Sequence, residues 1–220
     1  MALPTDRAEP LAVLRRVRRA PRPLEQERCD ICATAVAAEH HHIVDLDSRS
    51  LRCACQACAL LFTNQGAAGG RWRTVPADVY ELPSLTLTAA QWEVLQIPVG
   101  VAWLFHNSDT GGTSAFYPGP AGATESLLPL GAFDDLAAAE PALQTLLPDV
   151  EALLVRFDRS GSDCLIVPID RCYELVGILR QSWRGFDGGT EAHARIDEFF
   201  AALGKRARPV QSRLGQVSRG

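Results

Sequence analysis

Several common signals are missing from this sequence, and their absence narrows the class of protein. It contains no apolar run of the roughly eighteen residues that a membrane-spanning helix needs. It also lacks a P-loop, a dinucleotide-binding glycine motif, H-E-x-x-H and G-x-S-x-G. The first residues do not have the charged-then-apolar layout of a secretory signal. We therefore expect a cytoplasmic protein with no membrane span, and no enzyme class is indicated by a motif.

Charge is unevenly distributed along the chain. The net charge is −4, but residues 1–73 carry +3, residues 74–204 carry −12 and residues 205–220 carry +5. Binding to nucleic acid depends largely on neutralising phosphates, so the acidic central part makes nucleic acid an improbable partner. We interpret the basic ends as solvated tails, with folding back on the body or contact with an acidic partner as alternatives.

Five of the seven cysteines lie within thirty residues, in the stretch "CDICATAVAAEHHHIVDLDSRSLRCACQAC". Two C-x-x-C pairs are separated by 22 residues, and the insert between them has a strand–turn–strand pattern. In such a turn both thiols point toward one centre, so two turns supply four corners of a tetrahedron. This layout is typical of a zinc ribbon or a rubredoxin-like iron site. The predicted metal ligands are Cys29, Cys32, Cys55 and Cys58.

Other side chains compete for the same metal. Because alternate strand positions face the same side, Cys53 can replace Cys55 as a ligand. On a strand His40 and His42 share a face and His41 takes the other, so a site with three cysteines and one histidine is the main rival. A histidine can also hydrogen-bond a thiolate, or all three can line a solvated strand face. The two remaining cysteines, Cys164 and Cys172, are expected to be buried small hydrophobes.

The identity of the metal is less well determined by the sequence. Zinc and iron both accept four thiolates in a tetrahedron. Rubredoxin turns usually have glycine after the second cysteine, whereas Ala33 and Ala59 stand there in this chain. We therefore favour zinc and keep iron as the alternative. Four thiolates leave no position for substrate water, so the site is expected to be structural or electron-carrying.

The order of predicted elements indicates an α+β fold in which a small metal-binding subdomain precedes an antiparallel sheet with helices. We predict hairpins from Val99–His106 with Thr113–Tyr117, and around a turn at 158–163. A further strand is predicted before Val99, and helices are predicted in 131–150, after a cap at Asp170, and from Thr190 to Gly204. The predicted organisation is a basic N-terminal helix or arm at 1–24, a cysteine-rich subdomain at 25–74, an α+β domain at 75–204 and a basic tail at 205–220.

Candidates for catalysis are weak. His106 ends an apolar strand near Ser108 and Ser114, but sequence proximity alone does not make a nucleophile and base, and we interpret it as structural. Trp183, Arg184 and Phe186 suit a protein interface or a cap on the core. We favour a protein that is not an enzyme. An enzyme with its site in the α+β domain is kept as an alternative hypothesis.

Several stretches together resemble an uncharacterised actinobacterial family that is associated with gene clusters for nickel–iron hydrogenases. They are the C-x-x-C, HHH and C-x-C-x-x-C pattern, "IPVGVAWLF", "FYPGPAGATESLL", "LLPDVEALLV", "VPIDRCYELVGILRQSWRGFDGG" and "IDEFF". The resemblance covers about residues 25–204. It implies an accessory role in hydrogenase assembly or in electron passage, with a protein partner such as the hydrogenase or its assembly machinery. The oligomeric state is not indicated.

Overall fold

A computed structural model describes residues 26–64, 66–95, 97–126, 136–138, 140–158, 161–185 and 188–217. Within them the chain forms a mixed α+β structure with two sheets, in which nearly all strand pairs are antiparallel. The predicted α+β class is thereby confirmed. The basic helix or arm predicted at residues 1–24 lies outside the described residues.

The smaller sheet has three strands: β1 (His41–Asp45), β2 (Ser50–Ala54) and β3 (Trp72–Thr74), in the order β2-β1-β3. The strand–turn–strand prediction for the cysteine insert is confirmed by the β1–β2 pair. Helix α1 (Gln56–Leu60) follows β2, and a 3-10 helix (Ala67–Gly70) precedes β3. Strand β3 pairs with β1 in antiparallel and so completes this sheet.

The larger sheet has seven strands: β4 (Tyr80–Glu81), β5 (Val101–Asn107), β6 (Gly112–Gly119), β7 (Gly122–Ser126), β8 (Glu151–Asp158), β9 (Gly161–Pro168) and β10 (Arg208–Pro209). Their order in the sheet is β10-β4-β9-β8-β5-β6-β7. Both predicted hairpins are present as the pairs β5–β6 and β8–β9. The last strand, β10, pairs with β4 in parallel at one edge of the sheet.

Helices cover the larger sheet and complete its core. They are α2 (Ala89–Val94), α3 (Ile169–Ser182), α4 (Gly189–Arg206) and α5 (Val210–Val217). The apolar side of α3, with Leu175 and Leu179, is fully buried together with Trp103 and Leu154 of the sheet. A helix with one broad apolar side must cover that side, and the sheet provides the surface.

One element was predicted as the wrong type. The apolar run before Pro98, predicted as a strand, is α2, which begins with a capping box between Thr88 and Gln91. A threonine followed three residues later by glutamine is a helix-start signal that the sequence contained. The helix predicted in 131–150 is found in part, because residues 136–138 are helical and a 3-10 helix follows at Pro141–Thr145.

The predicted helix ends were also shifted. Pro168 and Gly188, not Asp170 and Thr190, are the N-cap residues of α3 and α4. Helix α4 continues through Gly204 and ends at Arg206. Asp170 therefore lies in the first turn of α3, where its carboxylate contacts His42 of β1.

The C-terminal segment corrects another interpretation. Residues 205–217, read as part of a solvated basic tail, form the end of α4, strand β10 and helix α5. Arg213 is buried and pairs with Glu151 of β8. The alternative in which the basic end folds back on the acidic body is the one observed for these residues.

The small sheet lies between the cysteines and the larger sheet. One face of it contributes Ile43 and Ala54 to a compact core with Cys29 and Cys58. The other face contributes Val44 to the main core. This arrangement follows from the alternation of side chains along a strand. The division into a cysteine-rich subdomain at 25–74 and an α+β domain at 75–204 stays a prediction.

Candidate metal centre

The first cysteine pair lies in a tight turn. The turn is closed by a bridge between Arg28 and Ala35, and the amide of Ala33 donates to the carbonyl of Cys29 at 2.8 Å. Ala33 has a φ of 60°, in the left-handed region that glycine adopts most readily. The alanine therefore takes the conformation that glycine usually supplies in such turns, at a cost of about 1–2 kcal/mol.

The second pair is built differently. Strand β2 ends at Ala54, and Cys55 is the N-cap of α1, with Cys58 inside that helix. The amide of Ala59 donates to the carbonyl of Cys55 at 2.9 Å, as in a helical turn. The two C-x-x-C pairs are thus a tight turn and a helix start. This asymmetry is compatible with a cysteine knuckle but does not reproduce the two matching turns expected from the symmetric spacing.

The four sulfur atoms converge. All of them lie within 4.8 Å of one another, and the Sγ atoms of Cys32 and Cys55 are 3.7 Å apart. A regular tetrahedron with metal–sulfur bonds of about 2.3 Å has sulfur–sulfur edges of about 3.8 Å. Cys29 and Cys58 are buried, Cys55 is half-buried and Cys32 is exposed. The four-cysteine cluster therefore can hold a tetrahedral metal ion.

Hydrogen bonds prepare one pair of thiols for ionisation. Burial opposes ionisation of Cys29, but the backbone amides of Cys55, Cys32 and Ile31 outweigh it and lower the pKa of that thiol. Hydrogen bonds from the side chain and backbone of Thr34 lower the pKa of Cys32 to about 6. Amide donors stabilise the charged form of an acceptor.

The opposite effect acts on the fourth thiol. Burial, together with the neighbouring cysteines, raises the pKa of Cys58 to about 12. Four thiolates crowded together repel one another, so the last is held as a thiol unless a cation is present. A metal ion removes that repulsion, which is the electrostatic pattern expected of a metal-binding cluster.

The side chains that competed as ligands form a second group. One ring nitrogen from each of His40 and His42 and the sulfur of Cys53 lie within 4.8 Å of one another. In the β1–β2 ladder His42 stands directly opposite Cys53, while His41 is exposed. Among the described residues these side chains gather apart from the four-cysteine cluster. Burial and the nearby charge of Asp30 raise the pKa of the Cys53 thiol.

Asp170 is a site residue that sequence reasoning missed. The Nδ1 atom of His42 lies 2.9 Å from its Oδ2 atom, across 128 positions of sequence. No local pattern relates a histidine on a strand to an acid on a distant helix. Histidines that bind a metal are commonly held by a carboxylate at the other ring nitrogen. The histidines of the cysteine-rich stretch were therefore the signal that an acid lies beside them.

The remaining candidates contribute less. Within the described part of the chain, the side chain of His106 makes no hydrogen bond to Ser108 or Ser114. Cys164 and Cys172 are buried, as predicted. Phe186 of the predicted aromatic cluster lies outside the described residues. An apolar cleft of about 370 Å³ opens between the two sheets, lined by residues that include Leu46, Leu51, Phe105 and Tyr173.

Fold and site together define a mixed α+β protein with a cysteine cluster able to bind a metal ion. A family model matches residues 28–207, and the chain belongs to that family, the family of unknown function DUF5947. No curated protein and no solved structure matches the chain. None of the described helices has both the length and the apolar character needed to cross a membrane.

Proposed function

We propose that this chain is a non-enzymatic, metal-binding accessory protein in which Cys29, Cys32, Cys55 and Cys58 hold a structural zinc ion. The convergence of four sulfurs, with an edge of 3.7 Å between Cys32 and Cys55, carries the proposal. Four protein donors complete a tetrahedron and leave no position for substrate. The metal then stabilises the fold and takes no part in a reaction.

The small core beside the cluster supports a structural role. Its buried members are Val36, Ile43, Ala54, Ala59 and Phe62, together with Cys29 and Cys58 themselves. So small a core provides little hydrophobic stabilisation. Structural zinc supplies about 10–16 kcal/mol of apparent binding free energy, which becomes folding free energy when the site forms only in the folded chain.

An exposed apolar pair beside the cluster supports a protein partner. Leu60 and Leu61, at the end of α1 and close to Cys58, are 64% and 63% exposed. Adjacent large apolar side chains at the surface suit a contact with another protein. The resemblance noted from the sequence implies a nickel–iron hydrogenase or its assembly machinery as that partner, in the cytoplasm.

A second function, electron transfer through an iron ion in the same cluster, is favoured by two observations. Cys32 is exposed, so an electron has a short path out of the cluster. Ala33 adopts a φ of 60°, so the missing glycine does not prevent a rubredoxin-like first turn. The helical second pair differs from such a turn, and zinc therefore stays our first choice.

Metal analysis with a visible spectrum tests both functions. A colourless protein that loses one equivalent of zinc in Cys29→Ser and none in Cys164→Ala supports the structural role. Cys164 is the matched control, because its thiol is buried in the larger sheet away from the cluster. A red protein with iron–thiolate charge-transfer bands overturns zinc in favour of electron transfer. Absence of both metals from freshly purified protein overturns both.

A further inference from the structure

We propose that His40, His42 and Cys53 form a second metal site, which binds a divalent transition-metal ion of the zinc class and leaves one coordination position open. This site is distinct from the four-cysteine cluster and does not depend on whether that cluster binds a metal. It rests on the convergence of three donors, the hydrogen bonds of both histidines and the charges around them.

The backbone brings the three donors together. His42 and Cys53 are opposite one another in the β1–β2 ladder, where facing side chains are about 4.5–5.5 Å apart at Cβ. His40 precedes β1 by one residue, and its ring lies 4.7 Å from that of His42, centroid to centroid. One donor atom from each of the three residues falls within 4.8 Å of the others. A rigid antiparallel pair therefore holds the group.

The hydrogen bonds of His40 leave one nitrogen for a ligand. Its Nδ1 atom lies 2.9 Å from the carbonyl oxygen of Ala37, while its Nε2 atom is buried without a hydrogen-bond partner. The side chain is only 8% exposed. A buried nitrogen without a partner is unfavourable, and a metal ion bound at Nε2 would give it one.

His42 is held in the arrangement that metal-binding histidines favour. Its Nδ1 atom is paired with Asp170, which fixes the ring and leaves Nε2 for a metal. Carboxylate–histidine–metal arrangements orient the ring and increase the basicity of the ligating nitrogen. The Oδ1 atom of Asp170 is buried without a hydrogen-bond partner, so the carboxylate is not fully satisfied by His42 alone.

The charges near the group favour a cation. A carboxylate oxygen of Glu27 lies 3.6 Å from Nδ1 of His40, and one of Asp170 lies 2.9 Å from Nδ1 of His42. Asp30 accepts a hydrogen bond from the amide of Cys53. Three carboxylates around two imidazoles and a thiol form a negatively charged environment that favours a divalent cation.

The donor set determines the class of ion and the coordination. Two imidazoles and one thiolate suit zinc and its neighbours in the transition series, and they do not suit calcium or magnesium. Among the described residues no fourth histidine, cysteine or carboxylate joins the group. Three protein donors are the number found at zinc sites that keep a water molecule or a small ligand in the fourth position.

Metal stoichiometry of the full chain tests the site. The chain is stripped with a chelator under reducing conditions, reloaded with excess Zn²⁺, passed through a desalting column and analysed for zinc per chain. We expect two equivalents in the unsubstituted chain, one in Cys53→Ala and two in the control Cys164→Ala. Reloading with Co²⁺ gives an independent readout, because Cys53→Ala then loses part of the thiolate-to-metal absorption and keeps that of the four-cysteine cluster.

His40→Gln provides a second variant that leaves the sulfur in place, and we expect it also to bind one equivalent. Asp170→Asn keeps the three donors, and we expect a loss of about 10–100-fold in affinity at this site alone. Circular dichroism establishes that each variant has folded, and Cys53→Ala and His40→Gln can replace one another if one does not fold.

Three results overturn the proposal. One is a single equivalent in the unsubstituted chain that Cys53→Ala and His40→Gln retain. Another is a single equivalent that both Cys53→Ala and Cys29→Ser abolish and that His40→Gln retains, which makes Cys53 a ligand of the first cluster. A third is two equivalents in all variants. Failure of the four-cysteine site gives a different result. In that case Cys29→Ser binds as much zinc as the unsubstituted chain.

Discussion

Asp30 and Cys53 hold one another by two hydrogen bonds. The amide of Asp30 donates to the carbonyl of Cys53 at 2.8 Å, and the carboxylate of Asp30 accepts from the amide of Cys53 at 2.7 Å. Asp30 lies between the two cysteines of the first turn, while Cys53 lies on β2. The pair therefore fixes the turn to the strand that leads into the second cysteine pair.

Replacing Asp30 with alanine is expected to weaken this junction. A hydrogen bond to a charged group contributes about 1.5–3 kcal/mol, so we expect Asp30→Ala to lower the free energy of unfolding by that amount. Urea unfolding monitored by circular dichroism provides the measurement. Asp47→Ala is the control, because Asp47 is an exposed partner of Arg71 and should cost less than about 1 kcal/mol. Equal effects of the two substitutions would contradict the prediction.

Removing a ligand is expected to loosen the cysteine-rich segment first. In Cys29→Ser we expect protease cleavage within residues 26–74 to become faster, while the larger sheet stays resistant. The physical reason is that the metal supplies folding free energy that the small core lacks. Limited proteolysis followed by mass spectrometry locates the cuts, with Cys164→Ala as the control. Unchanged cleavage in this segment would count against a structural metal.

The pair formed by buried Asp45 and exposed Arg71 predicts that stability depends on pH in the acid range. The hydrogen bond from Arg71 holds the pKa of Asp45 well below its ordinary value of about 3.9. A depressed carboxyl pKa contributes stability that is present above about pH 4 and is lost as the pH falls below it. The difference in urea midpoint between the unsubstituted chain and Asp45→Asn should therefore shrink from pH 7 to pH 3. A difference that stays constant or grows would contradict this.

The ion pair of Arg213 and Glu151 predicts that helix α5 contributes to the free energy of unfolding. Both guanidinium NH groups contact the carboxylate, at 2.8 and 2.7 Å, and the side chains are only 9% and 2% exposed. Arg213→Ala leaves a buried charge without its partner, so we expect a loss of about 3–5 kcal/mol in thermal or urea unfolding. Arg195→Ala breaks an exposed pair on α4 and should cost less than about 1 kcal/mol.

The apolar pair Leu60 and Leu61 predicts where a partner binds. If the partner is a nickel–iron hydrogenase, we expect Leu60→Asp and Leu61→Asp to weaken binding to the purified hydrogenase at least tenfold, since a charge in an apolar contact must be desolvated. Surface plasmon resonance gives the affinity, and metal content should be unchanged. Val94→Asp is the control, because Val94 lies on α2 and is exposed to a similar extent. Loss of binding in all three variants, or in none of them, would exclude this surface as the binding site of the partner.

Local sequence patterns predicted several parts of the structure because the interactions behind them are local. The spacing of Cys29, Cys32, Cys55 and Cys58 indicated a four-thiol cluster, and the strand pattern between the pairs predicted the β1–β2 hairpin. Alternating and continuous apolar runs also located β5–β6 and β8–β9. The strand predicted before Val99 was wrong because a different local signal, the capping box from Thr88 to Gln91, begins α2 there.

The sequence by itself therefore determined which thiols can share a metal and which segments form hairpins, since both depend on spacing of a few residues. Only the tertiary structure decided what Cys53, His42 and Asp170 do. Strand register sets His42 opposite Cys53, and the packing of α3 brings Asp170 to the histidine from 128 positions away. Register and helix packing arise from contacts between distant segments, for which single-sequence patterns contain no signal.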